Sequence, residues 1–172
     1  MNYKLFSIIS SKLKNNQIKS ICLLKDKHWK FGINSQMKWY RKNIKKNDIH
    51  NLFYIKSKLV GYTLLRKRTC EIRSLNKRIN YFLFDTLIID KNYRGKYLSN
   101  LLMSFNNTII NQSGYFSFLI CKKELVSFYK KNKWIQLNDK NIKVVDSLFS
   151  TNGMIFNNKE SNKKKYYFYL NK

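Results

Sequence analysis

The spacing of apolar residues predicts that strands and helices alternate from the start of the chain. Tyr3–Ile9 is a short apolar run bounded by serines, which predicts a first strand. Apolar residues between positions 13 and 24 recur at helical spacing behind two serines that can cap a helix. A second short helix is predicted from position 34 or 35, and residues 26–32 form a loop rich in aromatic side chains.

The middle of the chain carries the longest apolar run. Residues 52–55 and 59–65 flank a turn at Ser57 and Lys58, which predicts a hairpin. Residues 79–89 form a longer, mainly apolar run with aromatics, as is typical of a central strand that is buried on both faces. Helical spacing resumes at Leu98 and ends at Gly114.

The remaining sequence predicts a strand at residues 115–121, a helix at 124–132, and weaker strands at 144–149 and 166–170. The order is that of an α/β (α+β) fold, a mixed sheet with helices on its faces. No repeat, linker or composition break divides the sequence, so residues 1–172 are predicted to form a single domain.

Charge adds a question that the sequence leaves open. The chain has 35 Lys and Arg against 9 Asp and Glu, a formal net charge of +26, which would attract phosphates or nucleic acids. Lys, Asn and Ile are abundant together while Pro and Ala are absent, so bias toward A/T-rich codons explains much of the excess. The positive charge is spread along the chain, which argues against a dedicated basic tail.

Cysteine and histidine usage excludes several kinds of site. Cys22, Cys70 and Cys121 form no CxxC pair, and two histidines, His28 and His50, cannot complete a zinc pattern, so no metal site is predicted. Unpaired cysteines fit a reducing compartment. No apolar run is long enough for a secretory or membrane-spanning segment, so we expect a soluble, cytoplasmic protein.

The most informative stretch is a predicted strand, turn and helix at residues 87–102. A helix that opens directly after a strand leaves backbone N–H groups without partners and concentrates partial positive charge there. Gly95 allows close approach of the backbone, while Arg94 and Lys96 add charge, so the turn is a candidate phosphate site. The alternative interpretation is an ordinary turn with solvated basic residues.

This stretch resembles the Arg/Gln-x-x-Gly-x-Gly/Ala motif of the GNAT (GCN5-related N-acetyltransferase) superfamily. Arg94 matches its first position, but Tyr97 stands where Gly is usual and Ser99 where Gly or Ala is usual. A second likeness is Phe128-Tyr129 before Lys133-Trp134, where Lys replaces the usual Gly. With the hairpin at residues 59–62, the likeness covers residues 50–135, about half of the chain.

The resemblance implies a mixed, mostly antiparallel central sheet of six to seven strands that is splayed, with helices on both faces. It implies an acyltransferase that uses acetyl-CoA or another acyl-CoA and no metal. Tyr129 matches the family's general acid, although a core tyrosine is the alternative. The cofactor residues that the resemblance implies are Leu87, Ile88 and Ile89 for the pantetheine arm, and Arg94, Gly95, Lys96, Tyr97, Leu98 and Ser99 for the diphosphate.

The residue that deprotonates the amine is less well defined. Asp85 lies in the apolar strand, where burial disfavours a charged carboxylate and so favours proton uptake, but a hydrogen-bonded structural Asp is an equal alternative. His28 and His50 are alternative bases. By the family likeness, His28 and Trp29 border the acceptor pocket, although a structural histidine and a core tryptophan explain them as well.

The acceptor is predicted from charge alone. A small amine such as a nucleotide-linked amino sugar is preferred because a basic pocket would hold its phosphates. Aminoacyl-tRNA and protein amines are the alternatives within the enzyme class. A non-catalytic nucleic-acid-binding domain is the alternative outside it. A homodimer is compatible with the sequence.

Overall fold

The computed structural model describes residues 2–146, 152–160 and 163–171. Part of the strand that the sequence predicts at residues 144–149 therefore lies outside the described residues. Over the described ranges no helix is both long and apolar enough to cross a lipid bilayer.

Helices and strands alternate as the apolar pattern predicts, and the mixed, mostly antiparallel fold class is confirmed. The helices are α1 (Asn15–Trp29), α2 (Ile33–Asn43), α3 (Leu98–Ser113) and α4 (Val126–Lys131). The strands are β1 (Tyr3–Ile9), β2 (Ile49–Ile55), β3 (Lys58–Ile72), β4 (Lys77–Ile89), β5 (Ser117–Cys121), β6 (Ile135–Gln136), β7 (Ile142–Val144), β8 (Asn152–Phe156) and β9 (Tyr166–Phe168).

The described residues contain nine strands, whereas the apolar pattern predicts seven. Strands β6 and β8 are additional, and β7 overlaps the predicted strand at residues 144–149 only at Val144. Strands β6 and β7 span only two or three residues, which is too short for a period of two to stand out in the sequence. Tertiary pairing creates them, as β6 pairs with β8 and β7 pairs with β9.

The fold contains two compact units, and the first comprises Met1–Arg66 and Asp85–Asn106. In it β1 pairs antiparallel with β2, and β2 pairs antiparallel with β3. Its helix α1 packs against α2. Ile21 and Leu24 of α1 are buried against the strand residues Leu52, Leu64 and Ile88, which form the core of this unit.

The second unit comprises Lys67–Phe84 and Asn107–Lys172. Its core is aromatic: the rings of Phe118 and Phe168 stack with centroids 3.6 Å apart, and Tyr81 meets Phe168 edge-on. Strand β5 pairs antiparallel with β8 and parallel with β4. The Ser117 hydroxyl donates to the Phe82 carbonyl beside that parallel pairing.

Both units are assembled from two separate segments of the chain, so no single cut in the sequence divides them. The interpretation of the chain as a single domain therefore stays a prediction. The β4–β5 register joins Phe82 to Ser117 and Leu83 to Phe118, and β4 then continues to Ile89.

The predicted aromatic loop at residues 26–32 is largely helix. Helix α1 begins after Lys14, whose amide bonds the Gln17 side chain, and it continues through Trp29. It ends at Lys30, which has a φ of 56°, and the Asp26 carboxylate accepts from the Gly32 amide at 2.6 Å. His28 and Trp29 are thus helical residues, because nothing before position 30 breaks the helix.

Candidate functional site

The turn between β4 and α3 leaves a row of backbone amides without acceptors. The amides of Tyr93 and Arg94 close a short 3-10 turn, and the Tyr97 carbonyl accepts from the first bonded amides of α3. The next five amides donate to no acceptor within the part of the chain that the structure describes; they belong to Gly95, Lys96, Tyr97, Leu98 and Ser99. Free amides at the start of a long helix are suited to binding an anion.

The space in front of these amides is open. Gly95 has a φ of 76°, and a Cβ built there would meet no atom within 4 Å. The Tyr97 side chain, which stands where the motif usually has Gly, is 81% exposed. Tyr97 has a φ of 56°, in the left-handed region that favours glycine. The turn therefore offers both the free N–H donors and the open space that a diphosphate group would need.

The acidic residue beside the turn, Asp90, is paired with lysines, so it does not cancel the positive charge of the turn. Asp90 is paired with Lys27 at 3.3 Å and Lys58 at 3.8 Å. Burial acts to raise the pKa of Asp90, but the Asn92 amide and Lys27 outweigh it and lower the pKa. The carboxylate is thus neutralised by two lysines, and Arg94 adds uncompensated charge.

Arg94 is held in place by groups from two elements. Its Nε donates to the Ile89 carbonyl at 3.2 Å, and its Nη2 lies 3.0 Å from His28 Nδ1. Burial lowers the pKa of His28, and the charge of Arg94 lowers it further, which favours a neutral imidazole that accepts from the guanidinium. His28 therefore contacts the candidate phosphate turn, and its predicted contact with the acceptor stays a prediction.

The other predicted substrate residue, Trp29, lines a separate aromatic cavity of the first unit. The cavity has a volume of about 530 Å³, within the range of small-molecule sites. Asp85 reaches it from β4, so the structure brings these two predicted residues together. The lining residues are Lys25, Trp29, Phe31, Ser35, Gln36, Trp39, Asp85 and Thr86.

Two polar residues of this cavity were missed by the sequence analysis. Lys25 is only 5% exposed, its Nζ lies 3.5 Å from the centroid of the Trp39 ring, and burial lowers its pKa to about 8. Gln36 is 4% exposed, and its Nε2 has no hydrogen-bond partner among the residues that the structure describes. The only signal in the sequence was their position among the apolar residues of amphipathic helices, which does not distinguish a burial site from a solvated face.

Asp85 matches the structural alternative that the sequence analysis left open. Its Oδ2 accepts from Arg66 Nη1 at 2.7 Å, and its Oδ1 accepts from the Thr86 hydroxyl at 3.4 Å. Arg66 also donates to the Asn43 carbonyl. A base at this position would have to release its guanidinium partner, so the role of Asp85 in proton transfer stays a prediction.

His50, the other alternative base, is contradicted by its burial. It is completely buried, with Nε2 at 2.6 Å from the Ser10 hydroxyl and Nδ1 at 2.8 Å from the Tyr62 hydroxyl. Burial lowers the pKa of His50 to about 3. Because both ring nitrogens are engaged and no solvent reaches the ring, an acceptor amine cannot approach it.

The predicted pantetheine residues, Leu87 to Ile89, are the last three residues of β4. Ile88 is buried in the core that contains Ile21 and Leu24 of α1. Ile89 is buried in a second cluster of the first unit, with Phe53 and Leu102, and Leu87 packs against that cluster. Their burial fixes the strand, while the carbonyl of Ile89 is occupied by Arg94. Fixed backbone groups are what the predicted role requires.

Tyr129, the predicted general acid, lies in the second unit on α4. It is buried, and burial raises its pKa, so the hydroxyl keeps its proton at neutral pH. Its ring is edge-on to Phe84, with centroids 6.2 Å apart. Four residues later Lys133 has a φ of 67°, so a second non-glycine residue adopts the left-handed backbone that favours glycine.

Comparison by sequence alone finds nothing, since the chain matches no family model and no curated protein. Comparison of structures finds N-acyltransferases. The chain is similar to ElaA of Escherichia coli, with 17% identity, 90% of this chain and 99% of that chain covered, and a TM-score of 0.62. It is similar to an acyl-CoA N-acyltransferase from Pseudomonas aeruginosa, with 10% identity, coverage of 90% and 99%, and a TM-score of 0.65.

A third similar structure is the PaiA N-acetyltransferase of Thermoplasma acidophilum in complex with coenzyme A. Its identity is 16%, the coverage is 90% of this chain and 98% of that chain, and the TM-score is 0.56. At these identities the likeness establishes the fold. The GNAT-like fold that the motifs predicted is therefore confirmed.

Proposed function

We propose that this protein is an acyl-CoA-dependent N-acyltransferase that transfers an acetyl group from acetyl-CoA to an amine. The observation that carries the proposal is the row of unbonded amides from Gly95 to Ser99, which begins a helix directly after a buried strand. The fold shared with N-acyltransferases, one of them in complex with coenzyme A, supports it.

Each of the predicted cofactor residues has a part in this proposal. The amides of residues 95–99 would hold the diphosphate, and Arg94 and Lys96 would add charge to that contact. Backbone groups of Leu87, Ile88 and Ile89 would orient the pantetheine arm. Acetyl-CoA supplies an activated thioester, and Tyr129 would donate the proton that the departing thiolate needs.

The acceptor is proposed to be a small amine. The volume of the aromatic cavity, about 530 Å³, supports a small-molecule acceptor such as a nucleotide-linked amino sugar. Aminoacyl-tRNA and protein amines are the alternatives, since only the amine-bearing end of such a substrate has to enter the cavity.

A matched pair of glycine variants tests the phosphate turn. Gly95 and Gly114 both have positive φ, 76° and 72°, and a Cβ at either position meets no atom within 4 Å. Gly95→Val and Gly114→Val should therefore destabilise the protein to a similar extent, because a β-branched residue is strained at positive φ. Only Gly95→Val should weaken acetyl-CoA binding, by about tenfold or more, as the new side chain and a shifted turn disturb the diphosphate contact.

Calorimetric titration of acetyl-CoA into both variants and the unchanged protein gives the result, and thermal unfolding shows whether both variants fold. Saturating acetyl-CoA should raise the Tm of the unchanged protein, because a ligand that binds only the folded state stabilises it. An unchanged Tm, or equal acetyl-CoA affinities in the two variants, would contradict the proposal.

A nucleic-acid-linked acceptor is the second candidate, and one groove favours it. This groove on the first unit is lined by four basic residues and no acidic one: Asn15, Lys19, Ile33, Asn34, Met37, Lys38, Arg41 and Lys42. Binding of RNA there should weaken steeply with salt, and it should weaken further in Lys38→Gln/Arg41→Gln. RNA binding that is unaffected by this change would remove the candidate.

A further inference from the structure

The aromatic cavity contains more buried hydrogen-bond donors than acceptors. Among the described residues, Gln36 Nε2 has no hydrogen-bond partner, and Lys25 Nζ makes no hydrogen bond and no ion pair. Lys25 Nζ contacts the Trp29 and Trp39 rings, and burial lowers its pKa although the charge of Asp85 acts to raise it. The only carboxylate of the lining, Asp85, is already bound by Arg66. Both of these buried, unused groups, Gln36 Nε2 and Lys25 Nζ, are donors, which favours a ligand that presents acceptor oxygens.

An unused buried donor is costly, which makes its presence informative. A buried amide N–H without an acceptor costs about 1–3 kcal/mol, and a buried ammonium group without an anion costs more. Buried lysines are accordingly almost always paired. Both costs would be removed by one anionic oxygen group located between Lys25 and Gln36, whereas a second cation would be repelled by Lys25 and Arg66.

The walls of the cavity indicate the body of the ligand. Trp29 is 37% exposed and Phe31 is 68% exposed, while Trp39 is held under the Lys25 ammonium group. Exposed aromatic faces beside polar groups offer stacking surface for a flat ring and exclude water from the contacts behind it. Lys25 and Gln36 project from α1 and α2, and Trp29 and Trp39 project from the same two helices, so the ring contacts and the donors share one cavity.

We propose that this cavity selects an acceptor with a planar aromatic ring and an oxyanion, in which Gln36 and Lys25 bind the oxyanion and Trp29 and Phe31 contact the ring. Because this ligand is called an acceptor, the proposal rests on the proposed acyltransferase function. Binding of the ligand in the cavity, however, does not require acyl-CoA. The oxyanion is a carboxylate or a phosphate, as in an aromatic amino acid or a nucleotide.

Two pairs of probes distinguish these sources. L-phenylalanine and phenethylamine share the ring and the amine, but only the first has a carboxylate. Uridine monophosphate and uridine share the base and the sugar, but only the first has a phosphate. Calorimetric titration with and without coenzyme A should show an advantage of about tenfold or more for the oxyanion-bearing member of one pair. That pair then identifies the oxyanion.

Variants test whether the advantage comes from this cavity. Gln36→Leu and Lys25→Met keep the approximate volume but remove a donor, and each should reduce the advantage to about threefold or less. Lys12→Met is the matched control, because Lys12 is exposed in the same unit and lines neither the cavity nor the basic groove, and it should leave the advantage unchanged. Unfolding curves establish that each variant folds, and Gln36→Leu alone decides the question if Lys25→Met does not.

Equal binding within both pairs, or an advantage that survives Gln36→Leu, would overturn the proposal. Failure of the acyltransferase function is recognised separately. If the oxyanion probe binds and acetyl-CoA does not, the cavity stands and the enzyme assignment fails. If acetyl-CoA binds and neither pair shows an advantage, the enzyme assignment stands and the proposed selectivity fails.

Discussion

The two units of the chain differ in how they treat buried polar groups. All four buried side-chain atoms without a partner in the described residues belong to the first unit, on Gln36, Asn51, Arg66 and Asn106. In the second unit Arg68 donates to the Leu170 carbonyl and Tyr81 donates to the Tyr169 carbonyl. Among the described residues, unpartnered buried side-chain atoms are thus confined to the first unit, and one of them, Gln36 Nε2, lines the aromatic cavity.

The largest loss of stability is expected when a buried ion pair of the first unit is broken. Asp85→Asn would leave the buried Arg66 guanidinium of the first unit without its charge partner, which should lower the free energy of unfolding by about 3 kcal/mol. In the second unit, Glu160→Gln removes a carboxylate paired with Lys77 and Lys164, and solvent screening should make its effect much smaller.

Urea unfolding of both variants measures the difference. Arg66→Met/Asp85→Asn should recover part of the loss, because the uncompensated charge is gone. If Glu160→Gln destabilises the protein as much as Asp85→Asn does, the two units do not differ in the way that their buried groups suggest.

Tyr129, which lies in the second unit, is the proposed general acid. Tyr129→Phe should reduce kcat by about 100-fold and leave the affinity for acetyl-CoA nearly unchanged, because only proton donation is lost. Tyr81→Phe is the control, since it removes a buried hydroxyl from the same unit and should affect stability alone. Equal kcat for Tyr129→Phe and the unchanged protein would exclude the general-acid role.

The buried histidine of the first unit predicts a dependence of stability on pH. The unfolded chain binds a proton at His50 below its ordinary pKa of 6.5, while the folded protein does so only near a pKa of about 3. Protons therefore favour unfolding in this window, and stability falls as the pH decreases from 6.5 toward 3, by about 2 kcal/mol from pH 7 to pH 5.

Chemical denaturation at several pH values tests this dependence. His50→Gln, which cannot titrate, should show a shallower loss of stability between pH 7 and pH 5. A slope identical to that of the unchanged protein would show that other groups control the acid response.

The smallest effect is expected from two close-packed glycines. A Cβ at Gly153 in the second unit would meet Ile142 Cδ1 and, at 2.9 Å, Phe118 Cε2, while one at Gly61 in the first unit would meet Ile89 Cδ1 at 2.8 Å. Each change to Ala should cost about 1 kcal/mol. Only Gly61→Ala should also weaken acetyl-CoA binding, because it displaces Ile89, and equal binding by both variants would contradict the role of that strand.

The candidate site divides into a part that the sequence could predict and a part that it could not. The strand, turn and helix at residues 87–102 are contiguous, so the free amides follow from local structure. The left-handed backbone of Tyr97 and Lys133 could not be predicted, because neither residue type indicates it. Contacts such as Arg94 with His28, which lie 66 positions apart, were equally out of reach.

By itself the sequence determined the order of most helices and strands, the family likeness and the candidate phosphate turn, because these depend on hydrophobic period and on neighbours along the chain. Only the tertiary structure decided that Asp85 is bound by Arg66, that His50 is buried in a core, and that Lys25 and Gln36 Nε2 have no hydrogen-bond partner among the described residues that surround one cavity. The charge state and hydrogen bonding of these side chains depend on burial and on partners from distant segments, and hydrophobic periodicity does not indicate which segments come into contact.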